Sequence, residues 1–170
     1  NRNNTKRSKV FMDEAKKLYE NVTDREKRFI DMLHAYVHAD PNKKKERAEA
    51  YVKALEALLF EYPDDIEARA ILALHLWGSR SSGIPIPSHL AVDALLQQVF
   101  AKNPMHPCHH YRIHLWDYEK PETAVSSAAR CGQTSPGIAH MWHMPGHIFS
   151  RLRRYEDAVF QQEASARVDH

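Results

Sequence analysis

Apolar side chains recur along the chain at intervals of three and four residues, which is the spacing of one face of an α-helix. Short polar turns, several with proline, separate the apolar stretches. The alternation of apolar and polar positions that marks a β-strand is absent. We therefore predict an all-α fold, with helices over residues 10–20, 24–39, 43–62, 66–77, 90–102, 107–118, 121–131, 138–152 and 155–170. The polar residues 1–9 are expected to form a flexible tail.

Local signals set the expected ends of several helices. Thr23 and Glu26 have the spacing of a capping box, in which each side chain bonds the backbone of the other residue. Pro107 suits the first position of a helix. Pro145 falls inside a predicted helix, where a proline either kinks the helix or delays its start. Residues 78–89, with two Gly, two Pro and four Ser, are the one long loop that the pattern predicts.

Helix pairs that end in proline recur along the sequence. Pro63, Pro104 and Pro136 close successive pairs, 41 and 32 residues apart. The final unit carries aromatic and small residues at fixed places: Trp142, Gly146, Phe149, Tyr155 and Ala158. This spacing and these residues resemble the tetratricopeptide repeat (TPR), most closely over residues 105–170. The segment from His143 to Ile148 also resembles a bacterial subgroup of such repeat proteins that has an HMPxHI-type motif.

The TPR resemblance implies a right-handed superhelical stack of antiparallel helix pairs, an α-α solenoid whose first helices line a concave face. It implies a single repeat domain over residues 10–170. The missing capping helix after the last pair suggests a fragment of a longer protein, with flanking domains. Since TPR repeats mostly mediate protein–protein interactions, the first functional hypothesis is a scaffold that binds a peptide or protein partner through that concave face.

Composition excludes several other classes of protein. Lys and Arg number 24 against 22 Asp and Glu, and their even spread argues against a nucleic-acid-binding face. No apolar run reaches the roughly 18–20 residues of a membrane span, so we expect no membrane insertion. A soluble chain of this kind suits the cytoplasm or the periplasm equally. Cys108 and Cys131 fall where one helix hairpin brings residues together, as a disulfide or as a reduced buried pair.

Histidine is unusually frequent. The chain has 12 histidines, and seven of them lie between residues 106 and 147. One histidine recurs near the repeat period in the first helix of each predicted pair: His38, His75, His114 and His147. Three of these have a second histidine four residues earlier: His34, His110 and His143. Residues four apart lie on one helix face with Cβ atoms about 5–6 Å apart.

Such a pair can give two imidazole ligands to one transition metal ion, Zn, Cu, Ni or Fe. Since packed helices lie about 8–10 Å apart, the pairs His110/His114 and His143/His147 could meet at one ion. His140, His75 and His38 are further candidate ligands. The alternative function is therefore a metal-binding protein or a metal-dependent enzyme.

Two other interpretations of the histidines stay open. Each histidine could fill a packing position inherited from one ancestral repeat, or the group could bind an anion or move protons without a metal. No catalytic triad or general base can be identified from the spacing, so the enzymatic alternative is the weaker one. The candidate residues for binding a partner on the concave face are His34, His38, His75, Trp77, Trp116 and Trp142. The tryptophans could instead be packing residues.

Overall fold

The computed structural model describes the backbone of residues 2–170 and the side chains of residues 5–170. Within those residues there are nine α-helices and no strands: α1 (Arg2–Lys17), α2 (Asp24–His38), α3 (Lys44–Glu61), α4 (Ile66–Gly78), α5 (His89–Lys102), α6 (His109–Trp116), α7 (Val125–Thr134), α8 (Ala139–Arg151) and α9 (Tyr155–Asp169). Short 3-10 turns cover Tyr19–Asn21, Ser79–Ser82 and Pro121–Ala124. None of the described helices combines the length and the apolar character needed to cross a membrane.

Three helices begin well away from the predicted residue: α1, α6, and α7, which begins at Val125 because Pro121–Ala124 form a 3-10 turn. Helix α1 begins at Arg2, ahead of the start predicted at residue 10. The prediction of a flexible tail over residues 1–9 stays a prediction, and Asn1 lies outside the described residues. Helix α6 begins at His109, because the Cys108 amide donates to Nδ1 of His106 at 3.1 Å and the chain makes one more turn after Pro107.

The chain divides into two compact units, one ending at Ile86 and the other beginning at Pro87. The boundary falls inside the long loop predicted over residues 78–89. In the first unit, helices α1 to α4 each pack on the next helix along the chain. In the second unit, helices α5 to α9 do the same, and α6 also packs on α8. The single repeat domain predicted over residues 10–170 stays a prediction.

The first unit contains an apolar core and an ion pair at the start of α4. Leu55 and Leu58 are fully buried on α3. The Asp65 carboxylate caps α4 by accepting from two backbone amides, and Arg25 of α2 binds it with two hydrogen bonds of 2.5 and 2.9 Å. Burial alone would raise the pKa of Asp65, but these hydrogen bonds outweigh burial and lower the pKa.

The predicted capping box at the start of α2 is confirmed. The Thr23 hydroxyl accepts from the Glu26 amide, and the Glu26 carboxylate accepts from the Thr23 amide at 2.9 Å. Two orphan amides at the helix start are thereby satisfied.

The second unit holds a buried charge network between α5 and α6. Asp93 accepts from Arg112 Nε at 2.6 Å and from Trp116 Nε1 at 2.8 Å. The two charged side chains are only 14% and 9% exposed, so this is a desolvated pair. Burial alone would raise the pKa of Asp93, but these hydrogen bonds outweigh it and lower the pKa. The network fixes α6, the helix that carries His110 and His114, against α5.

Helix α8 runs unbroken through Pro145. It begins at Ala139, so the delayed start that a proline can impose does not occur. Pro145 is buried and has no amide hydrogen, so it cannot donate to the carbonyl four residues earlier. Both members of the pair His143 and His147 therefore lie within α8.

Candidate functional site

The pair His110 and His114 lies on α6 as predicted. Their Nε2 atoms are 2.9 Å apart, and their ring centroids are 4.7 Å apart. Since a hydrogen bond between two imidazole nitrogens needs one donor and one acceptor, at least one of these nitrogens is without a hydrogen. Both side chains are half-buried. The sequence pattern therefore located two imidazole nitrogens within reach of one ion.

The third imidazole of this group comes from His140, at the start of α8. Its ring meets His110 edge to face, with centroids 4.9 Å apart. The ligand atoms of His110, His114 and His140 all lie within 4.8 Å of one another. His140 is exposed, so the group opens to solvent on that side. We call these three residues the three-histidine group.

Burial changes the proton affinity of the central residue. It lowers the pKa of His110 to about 4, and the neighbouring His114 and His140 act in the same direction. His110 is therefore neutral at neutral pH. A neutral imidazole is the form that binds a metal ion.

His143 and His147 form a separate pair on α8. Their Nε2 atoms lie 3.0 Å apart, but neither residue belongs to the three-histidine group. The structure groups His140 with His110 and His114, while the meeting of His110, His114, His143 and His147 at one ion stays a prediction. Positions 140 and 143 share one face of α8 but differ by about 4.5 Å along its axis, and it is His140 that lies against His110.

Gln162 of α9 fixes the orientation of His143. Its Oε1 accepts from His143 Nδ1 at 2.7 Å, and its Nε2 donates to the His143 carbonyl at 3.2 Å. This leaves His143 Nε2 as the acceptor for the hydrogen on His147 Nε2. Gly146 makes room for the contact, because a Cβ at that position would overlap the Gln162 amide. No pattern in the sequence pointed to Gln162, which reaches His143 from another helix.

The two histidine groups are neighbours on α8. The His140 and His143 rings stack with centroids 5.8 Å apart. Beyond them, His147 Nδ1 lies 3.8 Å from the buried Asp117 carboxylate, and that carboxylate accepts a hydrogen bond from Arg151 Nε at 3.3 Å. Burial lowers the pKa of His147, while Asp117 opposes that change.

A cleft of about 530 Å³ lies beside the His143/His147 pair, and its wall includes His143, His147, Arg151, Arg153, Tyr155 and Gln162. Arg153 has a φ of 58°, in the left-handed region. The lining holds cationic and neutral polar groups without a carboxylate. This part of the unit keeps the metal-free interpretation open, in which histidines bind an anion or move protons.

Histidines of the first unit lie in two different settings. His34 and His38 stack on each other at 4.1 Å, and Nε2 of each lies 3.2 Å from Asp13 Oδ1. His75 instead packs against the rings of Tyr51 and Tyr36, at 4.2 and 6.0 Å. Burial lowers the pKa of His75. Sequence reasoning paired His34 with His38 but missed Asp13, which comes from α1.

The tryptophans proposed for a binding face have packing contacts. Trp116 is 6% exposed and donates to Asp93, so it belongs to the core and not to an open face. Trp142 covers Gly132 and donates to the Pro136 carbonyl at 3.0 Å. The Arg80 guanidinium lies over the Trp77 ring at 4.9 Å. These contacts favour the packing interpretation that the sequence left open.

His109 shows what a structural histidine looks like in this fold. It is buried, stacks on Phe100 at 4.1 Å, donates from Nε2 to the Pro104 carbonyl and accepts from the Ser127 hydroxyl. Both ring nitrogens are thus occupied, so His109 has no nitrogen for a ligand. Cys108 and Cys131 are buried and not joined in a disulfide, and burial raises the pKa of Cys131 to about 12.

Comparison with known proteins supports the fold. No model of a protein family matches this chain. No curated protein matches it either. A solved structure described as "MamA MSR-1 C2" is similar with a TM-score of 0.60, covering 94% of this chain and 88% of that chain at 15% identity. MamA is a TPR-containing protein.

At that level of identity the likeness concerns the fold alone. The predicted all-α fold of helix pairs, with a TPR-like character, is confirmed. The resemblance to the subgroup with the HMPxHI-type motif is not confirmed.

Proposed function

We propose that the chain is a TPR-like scaffold for a protein partner that also holds a transition metal ion on His110, His114 and His140. The observation that carries the metal part is the convergence of three imidazole ligand atoms within 4.8 Å. Zinc–imidazole bonds of about 2.0–2.1 Å place the nitrogens of a tetrahedral site about 3.3 Å apart. The 2.9 Å between His110 and His114 is close to that value. Small rotations of the side chains would bring all three nitrogens to one ion.

The chemistry of the group supports the same proposal. Imidazole suits Zn, Cu, Ni and Fe, and these ions are all candidates. His110 is neutral at neutral pH because of its burial, so an ion displaces no proton from a charged ring there. His140 is exposed and gives the ion a way in from solvent.

The scaffold part of the proposal rests on the fold. MamA, with which the chain shares its fold, is a TPR-containing protein, and TPR repeats present helix surfaces to protein partners. Of the candidate residues for a partner surface, His34 and His38 are each 31% exposed in their side chains. Trp116 is excluded from that role by its burial. In this proposal the partner contacts exposed side chains of the helix pairs.

A metal-dependent enzyme is the second candidate function. Three protein ligands leave the fourth position of a tetrahedral ion to water, which is the arrangement of catalytic zinc sites. Hydrolysis of an activated ester by the zinc-loaded protein would favour this function if it disappears in the His110→Ala/His114→Ala/His140→Ala variant. An equal rate in the variant would remove the enzymatic candidate and leave the scaffold.

Zinc content after dialysis tests the metal proposal. Protein made without a histidine tag is dialysed against Zn²⁺ and then against buffer, and its zinc is measured by mass spectrometry. We expect the His110→Ala/His114→Ala/His140→Ala variant to retain about one equivalent less zinc than the parent chain. The matched control His143→Ala/His147→Ala removes two neighbouring histidines of the same helix and should keep that equivalent. Equal zinc in parent and triple variant, both folded by circular dichroism, would overturn the proposal.

A further inference from the structure

We propose a second metal site in the first unit, in which Asp13, His34 and His38 bind a divalent transition metal ion such as Zn²⁺ and join α1 to α2. It involves none of the residues of the three-histidine group and goes beyond the function proposed above. The ligand atoms of the three residues lie within 4.8 Å of one another. One carboxylate and two imidazoles are a common ligand set for such ions.

The backbone places the two imidazoles together. His34 and His38 are four residues apart on α2, so both side chains lie on one helix face. Asp13 comes from α1, which packs on α2. Its Oδ1 atom lies 3.2 Å from Nε2 of each histidine. One carboxylate oxygen thus lies against two ring nitrogens.

A hydrogen bond fixes which nitrogen of His38 is available. Nδ1 of His38 lies 3.0 Å from the carbonyl oxygen of His34, and since a carbonyl only accepts, Nδ1 carries the hydrogen. In the neutral ring, Nε2 is then a bare lone pair facing a negatively charged oxygen at 3.2 Å. Two such atoms repel each other, and either a proton on Nε2 or a metal ion between them removes that repulsion. A ring nitrogen bonded to a backbone carbonyl is also the usual support of a metal-binding histidine.

The site is open to an ion from solvent. The side chains of His34 and His38 are 31% exposed, and that of Asp13 is 53% exposed. His34 bonds Asp13 through Nε2, so ion binding requires its hydrogen to move to Nδ1. Three protein ligands leave the other positions of the ion to water, as in sites with two histidines and one carboxylate.

An ion here would strengthen a weakly held helix. Val10, Phe11 and Leu18 of the α1 region are 54%, 59% and 58% exposed, so α1 buries little apolar surface. Besides the contacts of Asp13, α1 is joined to α2 by a Lys16–Asp31 ion pair, and Tyr19, just after α1, donates to Asp31 at 2.7 Å. A metal bond from Asp13 to α2 would therefore reduce the opening of α1.

The experiment adds Zn²⁺ to the full chain carrying His110→Ala/His114→Ala/His140→Ala and measures zinc content and amide hydrogen exchange. We expect about one equivalent of zinc, and slower exchange of the α1 amides with zinc than without it. Asp13→Asn in this background should weaken zinc binding about tenfold or more and abolish the slowing. Asp31→Asn is the matched control, because it removes the carboxylate that contacts Lys16 and Tyr19 but no ligand of the ion, and it should keep the zinc.

Two results would overturn this site: zinc binding that Asp13→Asn leaves unchanged, or no zinc in the background variant while the parent chain retains one equivalent. If the background variant does not fold, Asp13→Asn is made in the parent chain, where the zinc content should fall by one equivalent. The two sites fail separately, because loss of the three-histidine group leaves zinc at Asp13, His34 and His38, whereas loss of the latter leaves it at the former.

Discussion

Nε2 of His110 lies 2.9 Å from Nε2 of His114, one turn away on α6, and both rings are half-buried beside the exposed His140. A single proton bridges the two nitrogens in the metal-free chain. A metal ion would replace that proton and take a lone pair from each ring. The function that we propose requires a metal ion to take the place of this proton between His110 and His114.

The first prediction concerns which histidine of α8 completes the site. Because His140 and not His143 lies near both rings of α6, His140→Ala should weaken Zn²⁺ binding about tenfold or more, whereas His143→Ala should change it less than about threefold. Isothermal titration calorimetry on the Asp13→Asn chain compares the two variants without a contribution from the first unit. Equal effects of the two substitutions would mean that the ion lies elsewhere on α8.

The second prediction concerns the buried pair of Asp93 and Arg112. Asp93→Ala leaves a guanidinium that is 9% exposed without its carboxylate, which costs about 3–5 kcal/mol in the free energy of unfolding. Urea unfolding followed by circular dichroism measures the loss. Glu163→Ala, which breaks the exposed pair with Arg167, is the control and should change stability by less than about 0.5 kcal/mol. A small effect of Asp93→Ala would show that this network does not hold α6 in place.

The third prediction concerns Gly132, which faces the Trp142 ring. A Cβ on Gly132 would overlap that ring, and Trp142 is held by its hydrogen bond to the Pro136 carbonyl. Gly132→Ala should therefore destabilise the protein by about 1–3 kcal/mol, despite the better helix propensity of alanine.

Gly137 is the matched control, because a Cβ there meets no atom within 4 Å. Thermal unfolding of Gly137→Ala should differ little from that of the parent chain. If both alanine variants unfold at the parent temperature, α7 and α8 do not pack as closely as described.

The fourth prediction is a pH dependence of stability at His75. Burial lowers the pKa of this ring in the folded state, so protonation favours the unfolded chain. The contribution is complete above the unfolded pKa of about 6.5 and is lost as the pH falls below it. His75→Phe keeps a ring against Tyr51 and removes the titration, so the decline in melting temperature between about pH 7 and pH 5 should become shallower.

His170→Gln removes an exposed histidine at the end of α9 and should leave the slope of that decline unchanged. A parent-like slope in His75→Phe would show that this ring is not desolvated in the folded protein.

The sequence predicted those features that depend on distances along one helix. The capping box at Thr23, the ends of most helices and the close approach of His110 to His114 all follow from the α-helical period. The sequence did not predict features that depend on how two helices pack. The choice of His140 over His143 depends on how far along its axis α8 packs against α6, which no local pattern encodes.

Contacts from distant segments were missed for the same reason. Gln162 supports His143 from α9, and Asp13 faces His34 from a helix whose first turns are too polar to show an apolar pattern. His109 was one of seven histidines in the same stretch of sequence, and only its two hydrogen bonds mark it as structural.

The zinc K-edge X-ray absorption spectrum of the Asp13→Asn chain, loaded with one equivalent of Zn²⁺, reports directly on the ligands at the three-histidine group. We predict a four-coordinate ion with three imidazole nitrogens at about 2.0–2.1 Å and one water, and loss of the imidazole signal in the His110→Ala/His114→Ala/His140→Ala chain. A spectrum of hydrated six-coordinate zinc, or an imidazole signal unchanged by those three substitutions, would contradict it.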